Sequence, residues 1–317
     1  MLMYVVLAVD RRQVLGCAVS MRSVVESSNV GDAFCFYVLV SGLSVAEREM
    51  LARSAAIPGR DVTVHIRPVD TRRFAHLVRS GIVTHTCYAR LLIAEVLPPE
   101  AERIIYLDCD LIVQRDIGEL WRTPLRGCTV GAVANGDRAD ALSHQTRLAL
   151  PEPRYFNSGV LLIDFVRWRA KKLGAAALDA ASRVGDALIL HDQDALNIVL
   201  SGDWVEVDPS WNVAARSSAL CQELPAIVHF MGSPKPWHSD YSGPLTEKFL
   251  GVLSRTPFRS RQQWNPFGLG ALFRRLRRVL PYPPGIWRIS RMRARTLVSA
   301  LAGRAGGAAN ASRRDGG

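Results

Sequence analysis

The sequence predicts an α/β domain followed by a basic helical tail. Short apolar, strand-like runs alternate with helical patterns over residues 1–254, the signature of strands and helices sharing one sheet. The apolar share of 48% is ample for a core. Composition then changes abruptly near residue 255, where Arg becomes abundant and acids almost vanish.

Tyr4–Val9 reads as a first strand and Leu15–Glu26 as the helix after it. Met1–Val9 runs straight into Asp10-Arg11-Arg12 without a basic leading region or a cleavage site, so a strand is the better reading than a signal peptide. Phe34–Val40 forms a second strand, and Ser44-Val-Ala-Glu47 is a capping box that opens a helix. Val62, Val64 and Ile66 alternate as a third strand. Tyr88–Leu97 is a strongly apolar helix stopped by Pro98-Pro99, and Arg103–Leu107 is a strand that ends on Asp108-Cys109-Asp110. Thr129–Ala134, Val160–Ile163, Trp204–Val207 and Ala226–Phe230 are later strands, and Asp192–Leu200 is a helix. In open α/β sheets ligands gather where strands end at a change in strand order. Asp10, Asp108, Asp110 and His229 all follow strands and are expected to meet in one crevice.

The formal net charge of +11 suggests nucleic acid until it is located. Residues 255–317 hold 14 Arg, no Lys and one acid, a net of +13, while residues 1–254 hold 26 basic and 28 acidic residues. A nearly neutral body with no basic stripe interleaved with aromatics argues against the first alternative, a non-catalytic nucleic-acid-binding protein. In the tail, Leu269, Leu272, Phe273, Leu276, Val279 and Leu280 share one helical face opposite Arg274, Arg275, Arg277 and Arg278. Ile286–Leu301 is a second, less clean basic amphipath, and Ala305–Gly317 has a disordered composition. With Trp264, Phe267 and Trp287 nearby, residues 255–317 fit attachment to an anionic membrane surface; docking on its own domain or a protein is the plainer alternative. No run approaches the roughly 18–20 apolar residues that span a bilayer. The six cysteines are scattered without a C-x-x-C pair, which suits buried free thiols in a reducing cytoplasm. The expected location is therefore cytoplasmic, peripheral on the inner face of the cytoplasmic membrane.

Five segments carry the chemistry. In an extended chain Asp108 and Asp110 project to the same side. Their repulsion at the end of a buried strand is relieved by a hard divalent cation, Mn²⁺ or Mg²⁺, that bridges a phosphate-bearing ligand; a solvated acidic turn is the plainer alternative. Tyr155-Phe-Asn157-Ser158-Gly159 places small polar residues before a strand, either as an ordinary entry turn or as backbone that a ligand can approach. His191-Asp192-Gln193-Asp194 opens a helix. Asp192 could simply cap it, or it could hold sugar hydroxyls with Gln193 beside the reacting carbon. His229-Phe-Met-Gly232-Ser-Pro-Lys235 offers an imidazole suited to Mn²⁺, and a Gly and a Lys suited to a diphosphate. Arg90, a lone charge on an apolar helix, needs a partner, either a structural carboxylate or an acidic ligand.

Together these segments resemble the family 8 retaining glycosyltransferases, which include bacterial lipopolysaccharide galactosyl- and glucosyltransferases and glycogenin. The match runs in order through Ala8-Val-Asp10, Tyr88-Ala-Arg90-Leu, Tyr106-Leu-Asp108-Cys-Asp110, Asn157-Ser-Gly159-Val-Leu-Leu-Ile-Asp164, Asp192-Gln193-Asp194-Ala-Leu-Asn197 and His229-Phe-Met-Gly232-Ser-Pro-Lys235-Pro-Trp237, over roughly residues 4–250. The resemblance implies a GT-A nucleotide-sugar-binding fold, with a single mixed sheet flanked by helices. It also implies a UDP-sugar donor, a glycan or glycolipid acceptor such as lipopolysaccharide core, and Mn²⁺ (or Mg²⁺) held by Asp108, Asp110 and His229. It sets Asp10 against the uracil, Arg90 and Asp192 against the donor sugar and Asn157 and Gly159 near it, with Ala8 and Asp108 also among the donor-binding residues. Gly232 and Lys235 would hold the diphosphate, and Gln193, with Asp192, would carry the catalytic position facing the anomeric carbon. Where the family often has Asp-x-Asn-Tyr after the first strand, this chain has Asp10-Arg11-Arg12-Gln13. Gln193 is a poor nucleophile, so front-face attack by the acceptor hydroxyl is expected, with the leaving phosphate oxygen taking its proton. A sugar-phosphate nucleotidyltransferase, the other alternative, should carry a Gly-rich phosphate loop after the first strand, and none is present.

Overall fold

The computed structural model describes residues 1–79, 83–221, 223–238, 241 and 243–259. The expected tail helices within 269–301 and the expected disorder of 305–317 lie outside the described residues. The body is built on a seven-stranded mixed sheet in the order β3-β2-β1-β4-β7-β6-β8. Its strands are β1 (Leu2–Asp10), β2 (Ala33–Ser41), β3 (Asp61–Pro68), β4 (Arg103–Leu107), β6 (Val130–Ala134), β7 (Phe156–Asp164) and β8 (Trp204–Glu206). A small second sheet joins β5 (Leu111–Val113), β10 (Ile227–His229) and β9 (Val213–Ala214).

The period-2 alternation of the central strands divides the core into two layers. Met3, Val5, Leu7 and Val9 of β1 pack with α1 (Val14–Ser27), α9 (Thr246–Leu253) and the small sheet. Val6 and Ala8 face the opposite layer with Tyr88, Leu91, Ala177 and Leu196. Both faces are covered, so β7 is buried from Phe156 to Ile163 and continuously apolar from Val160 to Ile163, where each buried Val, Leu or Ile contributes about 1.5–3 kcal/mol of transfer free energy. The capping box at Ser44–Glu47 forms and starts α2 (Val45–Ser54). Packing continues past residue 254: Arg255 pairs with Glu26, and Phe258 is fully buried in the first layer.

The topology positions the site. β1 pairs in parallel with β2 on one side and β4 on the other, so the chain changes direction in the sheet between these strands. Their C-terminal ends, at Asp10 and Leu107, lie at the same edge of the sheet. β7 runs antiparallel to β4, and the amide of Asp108 donates to the Gly159 carbonyl at 2.8 Å. β10 runs antiparallel to β5 with His229 opposite Leu111, and Phe230 N–H donates to the Asp110 carbonyl at 2.8 Å.

Three segments depart from expectation. Tyr88–Leu97 is mostly a 3₁₀ helix, His85–Leu92, followed by one α-turn, α3 (Ile93–Val96). Its backbone lies directly against α7 (Leu173–Val184): a Cβ on Gly174 would sit 2.0 Å from the Leu91 carbonyl oxygen. Asn157-Ser158-Gly159 is not a turn but part of β7, because β6 continues to pair as far as Ala134 opposite Phe156, beyond a bulge. Residues 135–150, to which no element is assigned from sequence, contain α5 (Arg138–Leu148), opened by an Asp137–Asp140 capping box; none of its residues is buried, so no apolar stripe announces it.

Candidate active site

The paired aspartates lie in the turn between β4 and β5 rather than in an extended strand. Their carboxylates nevertheless face the same point. His229 Nε2 is 3.1 Å from Asp110 Oδ1 and 3.6 Å from Asp108 Oδ2. One ligand atom from each of the three residues lies within 4.8 Å of the others. Two carboxylate oxygens and an imidazole nitrogen fit a hard-to-borderline divalent cation of the Mn²⁺ or Mg²⁺ class. Lys235 Nζ contacts Asp110 Oδ2 and donates to the Phe230 carbonyl at 2.7 Å. Burial alone would raise the Asp110 carboxyl, but His229 and Lys235 outweigh it and hold the group well below the usual carboxylate range.

Between the aspartates, Cys109 points the other way, into the core, and its thiol donates to the Ala8 carbonyl at 2.8 Å. Helix α1 approaches this turn so closely that a Cβ on Gly16 would lie 2.4 Å from the Cys109 carbonyl oxygen and 2.6 Å from the Trp237 ring. Gly159 is equally constrained: a Cβ there would lie 2.3 Å from His229 Cε1 and 2.9 Å from Asp108 Oδ2.

Arg90 reaches the same aspartate turn. It donates to Asp108 Oδ1 at 2.6 Å and to the Ser158 carbonyl and hydroxyl at 2.7 and 2.9 Å, and it lies over the Tyr106 ring at 4.4 Å. Its Nε is 2.9 Å from Asp192 Oδ2, yet that oxygen has no well-directed hydrogen bond. The ion pair is close but off the donor line, so Asp192 keeps an acceptor lone pair. Asp192 is the first residue of α8 (Asp192–Val199), not its cap; His191 precedes it in a positive-φ conformation, φ 53°. Burial, with the nearby Asp108 charge, pushes the Asp192 carboxyl up to about 6 despite Arg90. One helical step on, Gln193 Oε1 accepts the Ser158 backbone N–H at 2.9 Å, and its Nε2 donates to the Tyr155 hydroxyl at 3.3 Å.

Asp194 braces this helix. Its carboxylate accepts from both Arg147 terminal nitrogens at 2.9 and 2.7 Å, the Tyr155 hydroxyl at 2.6 Å, and the amides of Ile189 and Leu190 at 2.8 Å each. Burial opposes its ionisation, but Arg147 and Tyr155 hold its carboxyl below the ordinary value. The His144 ring stacks on Tyr155 with centroids 3.8 Å apart.

The structure thus gathers Asp108, Asp110, His229, Lys235, Arg90, Asp192, Gln193, Asn157 and Gly159, with Ala8 underneath. Asp10 stands at the end of β1, where Thr84 Oγ1 donates to it at 2.7 Å and the Arg12 amide at 2.8 Å. Gly232 is exposed, with φ 78° and open space where a Cβ would go, so its conformation rather than a close contact requires glycine. Sequence reasoning gave no role to Ser158, Tyr155, Thr84 or Asn212. Ser158 sits inside the Asn157–Asp164 motif and Thr84 four residues before Tyr88, but Asn212 lies in a Pro209–Asn212 turn with no motif around it.

The Glycosyl transferase family 8 model matches residues 4–241. The chain belongs to that family. It is similar to General stress protein A of Bacillus subtilis (strain 168), 32% identical over 254 residues, covering 74% of this chain and 85% of the relative. It is also similar to the lipopolysaccharide 1,3-galactosyltransferase of Salmonella typhimurium, 27% identical over 271 residues, covering 81% and 80%. Among solved structures, the galactosyltransferase LgtC in complex with donor and acceptor sugar analogues superposes with a TM-score of 0.73 at 24% identity, over 82% of this chain and 100% of LgtC. This family 8 member therefore has the GT-A fold and is a glycosyltransferase. Neither the nucleic-acid-binding alternative nor the nucleotidyltransferase alternative is favoured. No helix among the described residues is long and apolar enough to cross a membrane.

Proposed function

We propose that this chain is a metal-dependent retaining glycosyltransferase. It moves a hexose, galactose or glucose, from a UDP-sugar to a glycan or glycolipid acceptor such as lipopolysaccharide core. The convergence of Asp108, Asp110 and His229 beside Lys235 and the Arg90–Asp192 pair carries this reading. Similarity to the Salmonella lipopolysaccharide 1,3-galactosyltransferase supports a hexose and a lipopolysaccharide acceptor. In this proposal Asp108, Asp110 and His229 hold Mn²⁺ or Mg²⁺, which supplies Lewis-acid stabilisation of the departing diphosphate. Lys235 adds a point charge to the same oxygens, together with backbone around Gly232. Ala8 and Asp10 flank the nucleotide, and Asn157 and Gly159 line the sugar side. Asp192 Oδ2 accepts a sugar hydroxyl. Gln193 stands at the anomeric carbon, but its amide oxygen is held by the Ser158 N–H, so it positions rather than attacks. The acceptor hydroxyl then adds from the face that UDP leaves. The sugar–phosphate C–O bond breaks, the new glycosidic bond forms, and the leaving phosphate oxygen takes the hydroxyl proton.

The test is UDP release from a panel of UDP-sugars by the purified protein, with Mn²⁺ and then with EDTA. Release from one sugar that disappears with EDTA is the expected result. No release or binding with any UDP-sugar would overturn the proposal.

The Asp192 role carries a pH signature. A sugar hydroxyl donates more strongly to the ionised carboxylate than to the neutral acid, so donor affinity is expected to fall as pH drops through about 6. Fold stability runs the other way. With its folded pKa raised above the ordinary 3.8, Asp192 contributes most below that value, and the contribution is lost as pH rises through about 6. Asp192→Asn should therefore weaken donor binding without lowering the melting temperature at pH 8; a parallel loss of both would contradict this role.

Attachment to an anionic membrane through residues 255–317 belongs to the same proposal and rests on the +13 charge of that segment. Each Arg near an anionic surface contributes about 1 kcal/mol. Full-length protein is expected to sediment with phosphatidylglycerol vesicles and a chain ending at residue 259 is not; equal sedimentation would end the idea.

A further inference from the structure

We propose that Asn212 is a positioning residue that fixes the ring of His229 with its proton on Nδ1, so that Nε2 is the nitrogen presented to a metal. This rests on the metal site proposed above, but the geometry that carries it lies outside the three ligands. Asn157, Asn212 and His229 are all buried, with 9%, 6% and 4% exposure. They form a chain of hydrogen bonds in which every donor and acceptor can be assigned from a single backbone group.

The chain starts at Gly159, whose amide N–H points at the Asn157 side-chain oxygen at 2.9 Å. A backbone N–H can only donate, so the Asn157 atom facing it must be its carbonyl oxygen. The Asn212 side chain approaches that same oxygen at 2.8 Å, and the atom it presents must therefore be its NH₂. The other end of the Asn212 amide is then its oxygen, which lies 2.9 Å from His229 Nδ1. An amide oxygen accepts only, so Nδ1 carries the proton. Amide orientation and histidine tautomer are ordinarily ambiguous, but here both follow from the Gly159 amide. The remaining ring nitrogen, Nε2, faces Asp110 Oδ1 at 3.1 Å and Asp108 Oδ2 at 3.6 Å. With Nδ1 turned to Asn212, Nε2 is the ring nitrogen left to meet Asp108, Asp110 or a cation shared with them.

The fold holds Asn212 rigidly for this task. It closes the Pro209–Asn212 turn, whose cap Asp208 accepts the Ser210 amide at 2.8 Å. The next residues, β9, pair in parallel with β10, placing Ala214 opposite His229. Buried partners that orient a metal-binding histidine through its second nitrogen typically change metal affinity by about 10- to 100-fold when removed.

The experiment uses the full chain with ¹⁵N-labelled histidine, at about pH 8 where imidazole is ordinarily neutral. Metal-free wild type is expected to show a one-bond proton correlation at His229 Nδ1, assigned by its loss in His229→Gln. An unprotonated Nδ1 in wild type would overturn the proposal, whatever the variants do. Mn²⁺ affinity is then measured by calorimetry. Asn212→Leu, which removes the acceptor at nearly constant size, is expected to lose the Nδ1 proton signal and bind Mn²⁺ about 10- to 100-fold more weakly. Asn212→Asp keeps an acceptor for Nδ1–H but loses the donor to Asn157, and is expected to recover the signal and most of the affinity. Equal losses in both variants would mean that Asn212 merely supports Asn157, and would overturn the positioning role. So would Mn²⁺ binding within twofold of wild type in Asn212→Leu. A wild type that binds no Mn²⁺ overturns the metal site itself, a result distinct from these.

Discussion

Asp110→Asn is expected to abolish metal-dependent UDP release, lowering the rate by about 10²- to 10³-fold or more, the usual scale for removing one preorganised electrostatic group. The change keeps the side-chain shape but removes the charge that His229 and Lys235 both face. It also has a structural cost. Asp110 and Lys235 side chains are each only 9% exposed, and breaking a buried pair by neutralising one partner costs about 3–5 kcal/mol. Loss of activity alone would therefore be ambiguous. Asp110→Asn combined with Lys235→Met removes the stranded ammonium and is expected to regain most of the melting temperature without regaining activity. If the double variant recovered metal-dependent release, Asp110 would not be a ligand.

Gly159→Ala is expected to be nearly as damaging while leaving every polar side chain in place. The added methyl would lie 2.3 Å from His229 Cε1, 2.8 Å from Nδ1 and 2.9 Å from Asp108 Oδ2. β7 is held between β4 and β6 and cannot back away, so the imidazole and the Asp108 carboxylate must move apart. Mn²⁺ affinity should fall by about 100-fold, the upper end of what a misoriented ligand costs. Circular dichroism should be unchanged, because the strand itself tolerates alanine. Wild-type affinity in this variant would mean that the cation does not bind between His229 and Asp108.

The elements that sequence reveals best here are those whose pattern is set by local geometry. The strands at Tyr4–Val9, Phe34–Val40 and Arg103–Leu107 and the Ser44–Glu47 capping box lie where periodicity and side-chain chemistry put them. The proposed ligands are legible because each lies at or just past a strand end and carries a scarce chemistry. What was not legible depends on contacts distant in the chain. The 3₁₀ form of His85–Leu92 is associated with close packing against Gly174, and apolar spacing alone could not distinguish it from an α-helix. Asn157-Ser158-Gly159 reads as a turn until β6 pairs with it. Arg90 showed in the sequence only as a charge needing a partner, and its partners come from three elements: Asp108, Ser158 and Asp192. Asn212 had no signal at all, since a lone Asn between Trp211 and Val213 acquires meaning only through His229, seventeen residues on.

The brace at Asp194 has a consequence for how such an enzyme diversifies. Helix α5 buries none of its residues, and Arg147 near its end clamps it to Asp194, the neighbour of Gln193. Helix α8 is thus held through Arg147 rather than through residues 138, 139 and 141–143, whose side chains take no part in the clamp or in the Asp137–Asp140 cap. A lineage, or a designer, can rewrite that outer wall while the inherited chemistry stays intact, provided the Arg147–Asp194 clasp is kept.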